Sequence, residues 1–259
     1  MSVSLSDAIE AHQELRDRVA ETIDGEWEIG PPEFGLALVR LFQYAFNSYK
    51  AIDLLLPDLY YEQSSSLCRT LWETALHISW ISDAPRERSR RFVQYTCVEY
   101  RRLLSRIEAD PQARRETLDA FDQQFERVLN DYRSRDKHGR LRLHGRATGV
   151  SVAELASSMG EPWSSEYQEF FPVWSMYTHG APGAVLFPIL PLEKASIEAF
   201  EALDTPRTIL LAFWSMELLA RCYRLIFPAF GLDDEEFLTE LDKRIGFSRS
   251  LVSKRDRYA

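Results

Sequence analysis

EFGLALVRLFQYAFNSYKAIDLL, residues 33–55, is the stretch whose reading decides the fold class. Phe34, Leu38, Leu41, Phe42, Ala45, Phe46, Tyr49 and Ile52 recur at steps of three and four, the spacing that lines one face of a helix. A face this crowded predicts a helix at the centre of a bundle or at an interface. Pro32 is well placed to begin it, because proline tolerates the first helical turn.

Working outward, the same period recurs, and no segment alternates convincingly as a strand would. A first amphipathic helix is expected over about 5–23, followed by a break in GEWEIGPPEF. Pro57 and Asp58 are read as opening a third helix that runs to Ile81, and a fourth runs from Pro85 towards Glu108. Asp110 and Pro111 repeat a start signal, an N-cap with proline in the first turn, for a helix ending near Tyr132. Ser151 and Glu154 have capping-box spacing. Pro172 should kink or break a helix running from Ser164 to Tyr177, and GAPGAVLFPILP reads as irregular. TILLAFWSMELLARCYRLIFPAF lies in a core helix from Thr205 to Phe227 with Pro206 in its first turn. Glu217, Arg221 and Arg224 interrupt that run, so it is not read as a membrane span. A last helix, Asp233 to Ile245, starts with acids that suit its dipole. The expectation is one all-α domain over 1–259, a bundle of about eight or nine helices. Residues 1–30 supply the N-terminal helix and linker, and 246–259 a mobile basic tail.

Composition limits the function classes. A formal charge of −9 makes the surface as a whole a poor nucleic-acid binder. Cys68, Cys97 and Cys222 are scattered and odd in number, which points to reduced thiols in a cytoplasmic protein rather than a zinc site or disulfide framework. The N-terminus lacks a basic flank followed by an apolar block, so no signal peptide is expected. Phosphate-loop, dinucleotide, HExxH and GxSxG signatures are absent, and the single Glu73–His77 pair lacks the spacing of di-iron bundles. Neither a metal nor a cofactor is expected, and His12 is read as lying on a polar helix face.

The densest polar group within an apolar helix is SSSLCRTLWETALHISWI, residues 64–81, where Arg69, Glu73 and His77 fall at steps of four. From spacing alone, Arg69 and Glu73 read first as an intrahelical salt bridge, which stabilises by only tenths of a kcal/mol. Buried, the same pair would need full hydrogen bonding, and its carboxylate would be able to orient an imidazole or a substrate amine. His179 in WSMYTHG is explained by capping, since Gly180 takes a left-handed turn and an imidazole suits the negative helix end.

An Arg-x-x-x-Glu with aromatic flanks (RTLWE) and a later Tyr-x-His-Gly (YTHG) resemble a bacterial all-helical family, domain of unknown function 5677. The resemblance covers residues from about 34 to 228 and implies fold and site location, since that family carries no established activity. It implies a polar pocket formed by Arg69, Glu73, Tyr177 and His179, and Tyr95 on the following helix (FVQYTCVEYRR) is read beside it as a hydroxyl donor.

A competing group is RSRDKHGRLRLHGR, residues 133–146, where Arg133, Arg135, Lys137, Arg140, Arg142 and Arg146 face one acid, Asp136. A basic loop of this kind is what a phosphate backbone recruits, with Arg135, Arg140 and Arg142 as RNA contacts. Arg133 and His138 have an Arg-x4-His spacing that is similar to HEPN-type ribonucleases. That resemblance implies metal-independent RNA cleavage, with histidine exchanging a proton and arginine stabilising phosphate charge. A solvated loop is the plainer reading. The leading expectation for function is a helical binding or regulatory module of a bacterial defence or stress system, acting as a homodimer or on a protein partner. A ribonuclease or RNA-binding toxin is second, and another enzyme class third.

Overall fold

The computed structural model describes residues 3–23, 32–107, 109–180, 197–230, 235–243 and 246. The linker before Pro32, the GAPGAVLFPILP run beyond Gly180 and the basic tail beyond Gly246 lie outside the described residues. The chain is all-α. Its helices are α1 (Leu5–Ile23), α2 (Pro32–Leu55), α3 (Tyr61–Asp83), α4 (Pro85–Gln94), α5 (Thr96–Ile107), α6 (Pro111–Gln124) and α7 (Glu126–Asn130). They continue with α8 (Val152–Met159), α9 (Trp163–Glu169), α10 (Phe171–Thr178) and α11 (Ile197–Ile226), and further helical turns cover 235–243. The count exceeds the expected eight or nine because three long helices divide.

Each division has a local cause or marker. Tyr95 separates α4 from α5, and its phenol turns into a small core of its own. Phe125 leaves helical geometry (φ −111°, ψ 20°) and packs at a tilt against Phe121, separating α6 from α7. Pro172 lies in the first turn of α10, directly after the break at Phe170 that the sequence predicts. Two starts differ from expectation. Leu59 adopts a left-handed φ of 57° after Pro57, so α3 begins at Tyr61 rather than at Pro57. Pro206 sits inside α11, which extends back to Ile197.

Two predicted caps form. Asp110 accepts from the Ala113 N–H at 2.7 Å, and Ser151 and Glu154 make a reciprocal capping box. The main core packs α2 against α3 and α11, with α1 laid on α11 and α10 on α3. Phe42, Ala45, Tyr49 and Ile52 from the opening stretch are buried there, with Trp72, Trp214 and Tyr223. Burying each large apolar side chain contributes roughly 1.5–3 kcal/mol, so the aromatic face of α2 is occupied within the chain itself.

A smaller core stands beside it, made of Tyr95, Val98, Leu129, Tyr132 and Ala147. It joins α4–α7 to a feature the sequence reading missed. Residues 133–146 are not an open loop but carry a β-hairpin, β1 (Arg133–Arg135) antiparallel to β2 (Leu141–Leu143). Asp136 closes it by accepting from the backbone N–H groups of His138 (2.8 Å) and Arg140 (3.0 Å). Gly139 takes φ 74°, which only glycine adopts without strain. No described helix is long and apolar enough to cross a membrane.

Candidate functional site

Helix α3 buries Leu71, Trp72, Ala75 and Ile78, which leaves Arg69, Glu73 and His77 along its margin. Arg69 donates from Nε (3.1 Å) to Glu73 Oε1 and lies within 3.0 Å of it through Nη2. Its guanidinium also lies over the Phe171 ring, 4.7 Å from the centroid. Both side chains are mostly covered, at 17% and 24% exposure, so the pair is more than a surface stripe.

His179 reaches this pair from α10. Its N–H closes the helix on the Ser175 carbonyl at 3.1 Å, and Gly180 turns left-handed at φ 56°. The turn brings His179 Nε2 to 3.3 Å from Arg69 Nη1. A guanidinium only donates, so as a hydrogen bond this contact uses His179 Nε2 as the acceptor. Capping and site geometry are therefore carried by one residue.

A further guanidinium comes from the segment after β2. Arg146 Nη1 lies 3.9 Å from Glu73 Oε2 and stays 44% exposed. The segment is pinned beneath it: Arg91 Nε donates to the Ala147 carbonyl (2.8 Å), and Tyr95 (3.1 Å) and Arg102 (2.5 Å) donate to that of His144. Burial, then the charge of Arg146, pushes His77 down to about 4, and its ring packs near Phe92. Two guanidinium groups, one carboxylate and one imidazole thus meet where α3, α10 and the hairpin flank converge. The set can hold an anion and exchange a proton beside it.

The other named residues fall elsewhere. The Tyr177 ring stands edge-on to Tyr61 at 5.5 Å, and burial raises its hydroxyl above the usual range. Among the described residues no hydrogen bond joins it to Arg69, Glu73 or His179. Tyr95 belongs to the small core, giving its proton to His144 and accepting from Arg102 at 2.9 Å. Arg133 turns towards Asn130 (2.8 Å) and Asp122 (3.4 Å), while His138 sits exposed in the hairpin turn. The Arg-x4-His pair therefore lies on a hairpin and not at a helix end. Arg135 is tied to the Gly139 carbonyl (2.7 Å), Arg142 to Asp136 (2.7 Å), and Arg140 is exposed.

His12 is the clearest correction. It is wholly buried, stacked on Tyr49 at 3.8 Å, with Nδ1 3.1 Å from Asp53 and Nε2 3.1 Å from Ser215. Arg16 completes the group with a short contact to Asp53. Burial lowers the His12 pKa. Burial pushes Asp53 up, but the hydrogen bond and charge of His12 and the nearby Arg16 outweigh it and leave Asp53 low. The Ser–His–Asp order is that of a nucleophilic triad, yet all three side chains are sealed between α1, α2 and α11, so they brace the bundle. Single-helix periodicity misses it because its partners lie 41 and 203 residues away.

Among the described residues no cluster of three or more His, Cys, Asp or Glu side chains is arranged to hold a metal. Fold and site together define an all-helical protein with a cationic polar site at its surface. A family model described as "Family of unknown function (DUF5677)" matches residues 35–187, more than half of the chain, and the chain belongs to that family. No curated protein and no solved structure matches it.

Proposed function

We propose that the protein is a helical recognition module whose ligand site is the Arg69–Glu73–Arg146–His179 cluster, and that the ligand is anionic. The observation that carries this reading is the meeting of two guanidinium groups at the Glu73 carboxylate, Arg69 from α3 and Arg146 from the hairpin flank, with His179 of α10 against Arg69 and Arg146 left 44% exposed. Guanidinium groups suit phosphate and carboxylate because they present several donors in a fixed plane. Calorimetric titration with inorganic phosphate and with adenosine 5′-monophosphate tests it. Wild-type protein binds at least one, and Arg69→Ala and Arg146→Ala lose that binding; a wild type that binds neither overturns the reading.

The 3.3 Å approach of Arg69 to His179 favours a second reading, metal-independent RNA cleavage of the HEPN-like kind. The imidazole would exchange the proton and the guanidinium would stabilise phosphate charge. In this reading the roles pass from Arg133 and His138 to Arg69 and His179. RNA incubated in EDTA should be cut by wild type and spared by His179→Ala, and equal survival in both removes the activity.

The same proposal gives the module a place in a bacterial defence or stress system, in the cytoplasm, where the three free cysteines fit a reducing compartment. It also includes a homodimer or a protein partner. Leu36, Tyr44 and Leu54 are the large exposed apolar side chains of α2. Light scattering at micromolar concentration tests the dimer, and a strict monomer removes it.

A further inference from the structure

The chain's charge is divided by position. Residues 85–147 hold 16 Lys and Arg against 10 Asp and Glu, a net of +6. The remaining residues hold 15 against 30, a net of −15. This basic segment is the one that builds the small core, α4–α7 with the hairpin. Helix α6 buries no residue and α5 only Val98, so the lobe presents most of its side chains outward. Tyr100, Leu103 and Ile107 on α5 are 53%, 49% and 64% exposed, and Leu141 on β2 is 56% exposed.

The arginines of this lobe connect to the candidate site through short contacts. On α5, exposed Arg106 stands one turn beyond Arg102. Arg102 donates to the carbonyls of His144 (2.5 Å) and Gly145 (3.4 Å). Arg146 is the next residue and lies 3.9 Å from Glu73, which holds Arg69 at 3.0 Å beside His179. Resting on the anionic-ligand reading above, we propose that this lobe is a docking surface for single-stranded RNA, whose backbone follows Arg106, Arg102, Arg146 and Arg69 to His179.

Three physical features select that partner. A +6 lobe on a −15 body attracts a polyanion to one face and repels it from the rest, which orients the strand. Exposed Tyr100, with apolar Leu103 and Leu141, offers surface to unstacked bases, which only single strands present. Glu73 repels a phosphate but accepts a hydrogen bond from a ribose 2′-hydroxyl, a group that DNA lacks. One carboxylate among guanidinium groups therefore favours RNA.

The test is fluorescence anisotropy with fluorescein-labelled 20-nucleotide oligo(U), read from 50 to 200 mM salt. Arg106→Glu and Arg140→Glu sit on exposed positions whose side chains make no described hydrogen bond, and Lys243→Glu is the same charge change outside the lobe. Wild type binds, and the Arg106→Glu/Arg140→Glu double variant weakens binding about tenfold or more, with the salt slope falling by about 0.7 per lost phosphate contact. Lys243→Glu leaves the affinity within about twofold, since a distant charge is screened. Equal loss in Lys243→Glu, or none in the double variant, overturns the surface. Equal affinity for oligo(dT) overturns the preference for RNA, and capture by phosphatidylserine vesicles without oligo(U) binding overturns the partner. The two readings fail separately: loss of phosphate binding in Arg69→Ala with oligo(U) affinity unchanged keeps the site and rejects the track. Oligo(U) binding without phosphate binding rejects the site reading on which the track rests.

Discussion

At the residue scale, the buried charges are the sensitive points. Arg221 meets Glu166 in a paired contact at 3.0 and 2.9 Å, and the Trp72 indole N–H donates to the same carboxylate at 2.9 Å. Removing one member leaves a covered charge alone, so Arg221→Ala should lower stability by about 3–5 kcal/mol in urea unfolding. Conservative Arg221→Lys should recover only part of that loss. His77 gives a pH prediction with a defined sign. Folded, it binds a proton near 4; unfolded, near its ordinary 6.5. The unfolded chain therefore takes up the extra proton, and stability is complete above 6.5 and falls as the pH drops towards 4. The loss reaches roughly 3 kcal/mol by pH 4, and His77→Phe should flatten that window in thermal melts at matched ionic strength. Arg69, Glu73 and His77 were legible in the sequence as one helix face, because i and i+4 neighbours are fixed by helix geometry. Arg146 as their partner was not, because 73 residues separate it from Glu73 and only the hairpin brings it back.

At the scale of elements, caps and turns were read correctly where chemistry is local and wrongly where tertiary contacts intervene. Ser151 and Asp110 act through residues three positions on, so their spacing was sufficient. Ser151→Ala should lower stability by about 1 kcal/mol, measured by denaturant midpoint with an unchanged slope. The hairpin escaped notice because its strands are three residues each, too short for the single alternation in Leu141–Arg142–Leu143 to stand out, and β1 has no apolar residue. Asp136 carries its turn, and Asp136→Ala should unfasten the strands while the helical signal in circular dichroism stays within a few per cent. The same variant frees Arg142, so RNA affinity that rose on this change would point to charge rather than strand geometry as the lobe's contribution. Tyr95 and Phe125 ended helices that periodicity alone had continued, since both rings turn towards the small core.

For the molecule as a whole, two cores imply two stabilities. The main core gathers most of the large buried side chains, whereas the lobe's core holds five buried residues. Backbone amides of α5 and α6 should therefore exchange with deuterium well before those of α2, α3 and α11, at opening free energies below that of global unfolding. Simultaneous exchange of both regions would show one cooperative unit instead. The all-α class was legible because every long segment repeats the helical period. The division into a body and a lobe was not, because hydrophobic period records which face is buried but not against what.

The brace at His12 bears on how much of the gene is needed to make a folded product. The family match opens at residue 35 and closes at 187, yet His12 and Ser215, on α1 and α11, lie on either side of it. Expressed alone, that shared stretch would leave Asp53 without its imidazole, Phe42 of α2 without the edge of Phe227, and Phe170 and Trp174 without Trp214. Residues 35–187 alone should therefore be less soluble and less stable than the full chain, and a thermal melt of the two side by side checks it. Cloning boundaries for this chain should be drawn outside α1 and α11.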